Sequence, residues 1–189
     1  MTKTIPFQTL AAWGRLITSH EVKLLQCLTG LRHIRFLTAF FLLASRLGDG
    51  PLWIATGLAF LLLGNAGERW AVTTAALAIG ASVAVFMILK NVIGRPRPFE
   101  TWKDPDCLMA PPDRFSFPSG HTMTSFAAAT VYAIQIPQAG VFFLPIAAII
   151  GGSRVFLGCH YPTDVLAGGI LGSGIGFVAT VFVRHFLLP

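Results

Sequence analysis

The chain has 189 residues, of which 54% are hydrophobic and only 12% are charged, and its mean hydropathy is +0.69. Soluble domains carry about 25% charged residues, so this composition excludes an ordinary soluble globule and a disordered chain. The length allows one domain. A formal net charge of +6 in so apolar a chain favours anionic lipid or phosphate over nucleic acid as the partner.

The N-terminal residues combine basic and apolar side chains. Three apolar positions have the spacing of one helix face: Leu10, Trp13 and Ile17. We therefore predict a basic amphipathic segment over residues 1–35 that lies in the membrane interface, with a basic cytosolic tail as the alternative. Residues 36–48 are apolar but short and predict a short or interfacial helix, and residues 51–67 form a further uncharged stretch.

Uncharged runs predict the helices that cross the membrane. Residues 70–89 are uncharged over the 20 or so positions that a bilayer requires, and residues 165–183 form another uncharged run. Residues 122–153 are uncharged but interrupted by Pro137 and Gly140, which predicts two helices joined by a tight turn. We expect an all-α, polytopic membrane helix bundle with four firm transmembrane helices and one or two short or interfacial helices before them.

Polar residues cluster where these spans end, in the segments 90–98, 118–121 and 153–164. No predicted span separates the first segment from the second. Two spans, one leaving and one returning, separate the second from the third. All three segments therefore fall on one membrane face, whereas unrelated polar loops would be divided between both faces. Ionisable groups at a membrane edge are candidates for a functional site.

The first segment supplies cations at the end of a helix. It has the sequence KNVIGRPRP, in which the prolines stop the helix and hold the chain extended. Lys90, Arg95 and Arg97 are then available to an anion. A basic anchor that fixes the orientation of the helix in the membrane is the alternative interpretation.

The second segment has the features of an anion-binding helix start. Pro118 cannot continue a preceding helix, and Ser119 suits an N-cap position. Backbone amides at Ser119 and Gly120 would point towards an anion, and His121 could exchange a proton with it. The alternative is a plain N-cap followed by an interfacial histidine.

The third segment combines a cation with a histidine and a carboxylate. Arg154 ends one span, and His160 and Asp164 lie four residues apart at the start of the next. A carboxylate that orients one imidazole nitrogen leaves the other as a base or nucleophile. A structural His–Asp pair is the alternative; a Cys159–His160 dyad is disfavoured because sequence neighbours point in different directions.

Together these segments supply cations, two histidines, a carboxylate and a helix N-terminus, which are the parts needed for phosphoryl transfer. No cluster of Asp, Glu and His has the spacing of a two-metal site, so we expect a metal-independent reaction without a cofactor. The acidic residues of the intervening loop predict a solvated surface: Glu100, Asp104, Asp106 and Asp113.

The three motifs resemble those of the type 2 phosphatidic acid phosphatase family of membrane enzymes, which shares its core with vanadium haloperoxidases. That family has Lys, six residues, Arg-Pro; then Pro-Ser-Gly-His; then Ser-Arg, five residues, His, three residues, Asp. Every position is present here: Lys90 with Arg97-Pro98, Pro118 to His121, and Ser153-Arg154 with His160 and Asp164. The resemblance covers residues 90–164 directly.

The resemblance implies a role for each residue of these motifs. His160 would be the nucleophile that forms a phosphohistidine, and Asp164 would orient it. His121 would protonate the leaving oxygen and then activate water, which predicts a bell-shaped pH profile. The phosphoryl oxygens would be bound by Lys90, Arg97, Ser119, Gly120 and Arg154. The role of Arg95 stays open, since it lies only two residues from Arg97.

The function that follows is an integral membrane phosphatase, over residues 36–189, that removes the terminal phosphate of a polyprenyl (di)phosphate or glycerophospholipid phosphate. The alternatives are a protein that binds or transports lipid phosphate without turnover and, less favoured in a lipid-embedded chain, a vanadate-dependent haloperoxidase. We expect a bacterial cytoplasmic membrane with the site on its outer face. That side follows if residues 36–48 cross the membrane; a cytoplasmic site is the alternative.

Overall fold

A computed structural model describes residues 20–101, 107–109 and 113–187; Leu10, Trp13 and Ile17 lie outside these ranges. All regular elements within the described residues are helices, which confirms the all-α prediction. They are α1 (His20–His33), α2 (Arg35–Gly48), α3 (Pro51–Leu63), α4 (Ala66–Ile93), α5 (Pro98–Thr101), α6 (Gly120–Gln135), α7 (Pro137–Phe156) and α8 (Pro162–Phe186).

Local signals fix both ends of the long helix α4. At its start Asn65 Oδ1 accepts a hydrogen bond from Glu68 N at 3.1 Å, and Glu68 Oε2 accepts one from Asn65 N at 2.7 Å, a reciprocal capping box. At its end Gly94 adopts the left-handed conformation with φ 63°, which glycine tolerates without steric cost. The helix therefore stops just after Lys90, and the chain turns towards Arg97.

Helix α6 lies at the centre of the bundle and packs against α4, α7 and α8. Its contact with α8 is close because Gly168, Gly172 and Gly176 form a row of small residues four apart. A Cβ atom on Gly172 would lie 2.2 Å from the carbonyl oxygen of Met123, so only glycine permits this approach. Close backbone packing of this kind is typical of membrane helices, and it brings the start of α6 against the start of α8.

Within the part of the chain that the structure describes, three helical segments are long and apolar enough to cross a membrane: Ala66–Glu100, Pro137–Phe156 and Pro162–Phe186. Helices α1 and α2 pass the same test only as a pair bent by 114°, and α3 is apolar but shorter. Helix α6 has 16 residues, and protein rather than lipid covers much of its surface. The polytopic membrane bundle is confirmed, while the count of four spans stays a prediction.

Helix α1 lies against the end of the bundle that carries the three motifs. Leu25 is fully buried against Val155 and Tyr161, and Arg32 Nε donates to Phe156 O at 3.0 Å. The sequence-based division at residue 35 treated residues 1–35 as a separate segment. The described part of that segment packs onto the bundle, because its apolar face contacts the junction of α7 and α8, and the boundary at residue 35 stays a prediction.

Candidate active site

The three motifs meet around one cavity of about 190 Å³. Six of the eight predicted site residues line it: Lys90, Arg97, Gly120, His121, Arg154 and His160. The other two, Ser119 and Asp164, are buried just behind its wall. Asp49 and Asp113 also line the cavity, and neither was predicted to belong to the site.

The imidazole of His160 has a defined orientation. Its Nδ1 lies 2.7 Å from the carbonyl oxygen of Ser116, and its Nε2 lies 3.3 Å from Arg97 Nη1. Because a guanidinium can only donate, Nε2 must accept from Arg97, and Nδ1 carries the hydrogen that is donated to Ser116. The lone pair of Nε2 is therefore directed at Arg97, and both residues line the cavity.

The surroundings of His160 keep the ring uncharged. Its side chain is buried, and burial, together with the positive charges of Arg97 and Arg154, lowers the pKa of His160 to about 3, although the Asp164 carboxylate acts in the opposite direction. A neutral imidazole at neutral pH keeps Nε2 unprotonated, which is the form that a nucleophile requires.

The backbone of the first motif holds the carbonyl that orients His160. Ser116 N donates to Arg95 O at 2.9 Å, and Ser116 Oγ donates to Pro96 O at 3.1 Å. Ser116 was not among the predicted site residues, because a residue that acts through its backbone carbonyl leaves no signal in its side-chain type.

Asp164 lies near His160 but is held mainly by other groups. Its Oδ2 is 3.6 Å from His160 Nδ1, which is too long for a hydrogen bond. Oδ2 accepts from Tyr161 N at 2.8 Å, and Oδ1 accepts from Arg95 Nη1 at 2.7 Å. Asp164 thus places a negative charge beside the ring, while the Ser116 carbonyl is the group that accepts the Nδ1 hydrogen.

The side chains of Arg95 and Arg97 lie in different surroundings. Arg97 lines the cavity, whereas Arg95 donates to Asp164 and, through Nη2, to Glu21 Oε2 at 2.7 Å. Glu21 Oε1 in turn accepts from Thr163 N at 2.8 Å. Arg95 therefore connects the start of α8 to α1, whereas Arg97, the arginine that the motif spacing selects, lines the cavity.

Asp113 departs from the expected solvated loop. It accepts a hydrogen bond from Lys90 Nζ at 2.5 Å and forms an ion pair with Arg97. Burial alone would raise the pKa of Asp113, but the hydrogen bond from Lys90 and the charges of Lys90 and Arg97 hold that pKa below its usual range. A carboxylate thus lies on two of the cations that were predicted to bind phosphate.

Arg154 is the third buried cation of the cavity, with 1% of its surface exposed. It donates to Ser45 Oγ through Nη1, while its Nε is buried without a hydrogen-bond partner among the described residues. A buried cation is costly unless it is paired, so Arg154 is suited to receive an anion in the cavity.

His121 is paired with Asp49, since its Nε2 lies within hydrogen-bond distance of Asp49 Oδ1. Asp49 follows α2 in a turn where Gly50 has a φ of 129°. The sequence contained a signal for this residue: a lone carboxylate in a Gly-Asp-Gly-Pro turn between two apolar segments. Its contact with His121 across 72 positions needed the fold.

Ser119 occupies the N-cap position of α6, as predicted, but within the described residues its side chain makes no capping hydrogen bond. Its hydroxyl accepts from Thr122 Oγ1 at 2.9 Å, and its amide donates to Asp164 O at 3.0 Å. Gly120 lines the cavity, and a Cβ there would lie 3.2 Å from the Phe86 ring.

No group of three or more His, Cys, Asp or Glu residues could hold a metal ion in the described ranges.

Comparison with known proteins agrees with this geometry. Residues 71–187 match the family model described as the PAP2 superfamily. An undecaprenyl-diphosphatase of Sulfolobus acidocaldarius is 31% identical over 157 residues, covering 80% of this chain and 73% of that protein.

Two solved structures are similar over most of the chain. Aquifex aeolicus LpxE has a TM-score of 0.72 and 27% identity, covering 83% of this chain and 92% of that one. A transmembrane PAP2 type phosphatidylglycerolphosphate phosphatase from Bacillus subtilis has a TM-score of 0.68 and 25% identity, covering 90% of this chain and 88% of that one. Since the family match includes all three motifs and more than half of the sequence, the chain belongs to the PAP2 superfamily, as its motifs indicated.

Proposed function

We propose that this membrane phosphatase removes the terminal phosphate of a polyprenyl diphosphate, or of a glycerophospholipid phosphate, through a phosphohistidine at His160. The observation that carries the proposal is the buried His160, whose Nε2 lies 3.3 Å from Arg97 Nη1, in a cavity that also contains the buried cations Lys90, Arg97 and Arg154. The names of the relatives, which include an undecaprenyl-diphosphatase and a phosphatidylglycerolphosphate phosphatase, support this range of substrates.

In the proposed mechanism the substrate phosphate replaces the Asp113 carboxylate on Lys90 and Arg97. Nε2 of His160 attacks phosphorus in line, the bond from phosphorus to the lipid oxygen breaks, and its electron pair stays on that oxygen. His121 donates a proton to the leaving oxygen. Water then attacks the phosphohistidine, His121 accepts a proton from it, and orthophosphate leaves. The cations stabilise the charge on the equatorial oxygens in both steps.

A second cavity supports a lipid rather than a soluble substrate. It has a volume of about 630 Å³ and shares Gly48, Asp49, Val83 and Thr124 with the phosphate cavity. From there it runs between α3 and α4 and is lined mostly by apolar side chains, among them Ile54, Leu58, Leu61, Val72 and Ile79. A headgroup in the polar cavity would place its hydrocarbon chain in this groove.

Filling the groove should weaken the binding of a long-chain substrate. A Cβ on Gly80, in the wall of the groove, would meet no atom within 4 Å, so Gly80→Phe can be accommodated and its ring occupies the space of the chain. We expect the KM for a polyprenyl diphosphate in detergent micelles to rise about tenfold, the loss from roughly two unburied methylene groups. The kcat/KM for phenyl phosphate, which has no chain, should stay unchanged.

Gly174→Phe is the matched control for this prediction. Its Cβ also has open space, but it lines an apolar groove between α4 and α8 that lacks all the residues of the phosphate cavity. Equal KM increases in the two variants, or equal losses with phenyl phosphate, would rule out the groove as the site of the chain.

The proposed function is tested by incubating purified protein in detergent, with EDTA, against polyprenyl diphosphate, phosphatidate and phosphatidylglycerol phosphate. We expect continuous release of orthophosphate from at least one of them, and none from the His160→Ala variant. A single burst without turnover would favour the binding or transport alternative. Halide oxidation after addition of vanadate, without phosphate release, would favour the haloperoxidase.

The pKa of His160 predicts the shape of the pH profile. An unperturbed histidine, with a pKa of about 6.5, would lose its nucleophilic form below neutral pH, but the lowered value of about 3 keeps Nε2 unprotonated. After correction for ionisation of the substrate, kcat/KM should show no acid limb between about pH 5 and 7. Burial and the charges of Arg154 and Lys90 lower the pKa of the proposed general acid His121 to about 4, although Asp49 acts in the opposite direction. The kcat/KM should therefore fall as the pH rises above that value, where His121 loses its proton. An acid limb near neutrality that survives the correction would contradict this.

We also propose that the site lies at the outer face of a bacterial cytoplasmic membrane. This assignment requires that residues 36–48 cross the membrane. In the structure both flanks of this segment contact the site end of the bundle: Glu21 binds Thr163, and Asp49 binds His121. These contacts favour the alternative that the segment lies along the membrane surface, and in that arrangement the basic N-terminal segment shares the face of the site and favours a cytoplasmic site.

Labelling with a membrane-impermeant maleimide decides the side. Leu108 is 45% exposed in the loop near the site, so Leu108→Cys, in a chain whose three natural cysteines are replaced by serine, reports on that face. Labelling in intact cells supports the outer face, and labelling only in inverted vesicles rejects it.

A further inference from the structure

Two of the three cysteines lie side by side next to His160. Cys107 Sγ is 2.7 Å from Cys159 Sγ, closer than two sulfur atoms approach in an ordinary contact. Both thiols also lie near one carbonyl, Met109 O, at 3.1 and 3.3 Å. Because a disulfide bond is about 2.05 Å long, a small movement of these side chains brings the sulfur atoms to bonding distance.

We propose that Cys107 and Cys159 are a redox-active pair whose disulfide fastens the loop before α6 to the residue that precedes His160. The third cysteine, Cys27, is exposed on α1 and serves as an internal comparison. The effect of the bond on turnover rests on the proposed function, whereas its formation does not.

The pair is placed where a cross-link would affect the catalytic cavity. Cys159 O accepts a hydrogen bond from Arg97 Nη1 at 2.8 Å, and Cys159 N donates to Arg154 O at 3.0 Å. On the other side of the link, Met109 Sδ lies 3.9 Å from Arg154 Nη1. The disulfide would therefore restrain the backbone and side-chain contacts of both arginines.

The surroundings of the two thiols assign their roles in bond formation. The hydrogen bond from the Cys159 thiol, supported by the charges of Arg154 and Arg97, lowers the pKa of Cys107 to about 6. Cys107 is half-buried, whereas Cys159 is fully buried and its pKa is raised. Since the thiolate is the reactive form, Cys107 is the thiol that attacks an external oxidant, and Cys159 is the thiol that resolves the product.

With a small disulfide such as oxidised glutathione as the oxidant, the reaction has two steps. The Cys107 thiolate attacks one sulfur of the oxidant, forming a mixed disulfide and releasing one glutathione thiolate. Cys159 then loses its proton and attacks Cys107 Sγ, which releases the second glutathione. Two protein thiols are oxidised by two electrons, and one glutathione disulfide is reduced to two thiols.

The bond should also stabilise the fold. It would join residues 52 positions apart, and a disulfide that closes a long loop restricts the unfolded chain. We expect the oxidised protein to melt about 5 °C or more above the reduced protein. Because it holds Arg97 and Arg154 in place, oxidation should also lower the KM for substrate a few-fold.

The experiment uses full-length protein in detergent with the Cys27→Ser substitution, which leaves the proposed pair as the only thiols. It is equilibrated with glutathione buffers of graded potential, alkylated, digested and analysed by mass spectrometry, while thermal unfolding is followed on parallel samples. The matched controls are the same protein with Cys107→Ser or with Cys159→Ser.

We expect a peptide that links Cys107 to Cys159, loss of both free thiols, and a Tm that rises with oxidation only when both cysteines are present. Persistence of both free thiols at oxidising potentials, or an equal Tm shift in a single-cysteine control, would overturn the proposal. A cross-linked, stabilised protein that releases no phosphate from any substrate would retain the disulfide and reject the proposed function instead.

Discussion

Replacing His160 by asparagine is expected to lower kcat by about 10⁴-fold or more, the scale of loss when a covalent nucleophile is removed. The asparagine amide can still donate to Ser116 O, the partner that His160 Nδ1 has at 2.7 Å, but it offers no lone pair to phosphorus. The variant should therefore remain folded and bind the substrate while it fails to form the phosphoenzyme.

This prediction is checked by steady-state phosphate release and by acid-labile labelling of the protein with radioactive substrate. His185→Asn is the matched control, since that histidine is exposed in the last turn of α8, far along the chain from the motif. A His160→Asn protein with kcat within tenfold of the wild type would show that another group attacks phosphorus.

Replacing Arg154 by lysine is expected to lower kcat/KM by about 10²–10³-fold, the usual loss when one donor to a developing anion is removed. Lysine keeps the positive charge but lacks the planar fork of donors. The buried Nε of Arg154 has no hydrogen-bond partner among the described residues, and the lysine side chain has no donor at that position. The loss should appear mainly in transition-state binding, so inhibition by vanadate should weaken as well.

The measurements are kcat/KM and the inhibition constant of orthovanadate, with Tm as the readout of folding. Arg46→Lys is the control, because Arg46 is exposed near the end of α2 and lies outside the cavity lining. If Arg154→Lys reduces kcat/KM by less than threefold, Arg154 does not bind the transferred phosphoryl group.

The motifs were identified from local spacing, and the fold class from the uncharged runs. Both signals are properties of short stretches of sequence. Helix α4 ends at Gly94 because glycine adopts the left-handed backbone conformation there, and a membrane span needs a continuous apolar segment. Six of the eight predicted residues line the cavity, since the motifs lie at helix ends that the topology brings to one side of the bundle.

The groups that complete the site come from distant positions. Glu21 reaches Arg95 across 74 residues, and Asp49 reaches His121 across 72. The Ser116 carbonyl that orients His160 carries no mark in the sequence, since every residue has such an oxygen. In the sequence nothing distinguishes Asp113 from the other loop carboxylates, whereas in the fold it forms ion pairs with Lys90 and Arg97.

The sequence by itself determined the membrane-embedded helical class, the three motifs and the phosphoryl-transfer chemistry that their side chains allow. Only the tertiary structure decided what Arg95 binds, which oxygen orients His160 and which thiols meet. The physical reason is that spacing along one helix fixes local geometry, whereas these contacts depend on how closely separate helices approach. Here that distance is set by the glycine row of α8 against the backbone of α6.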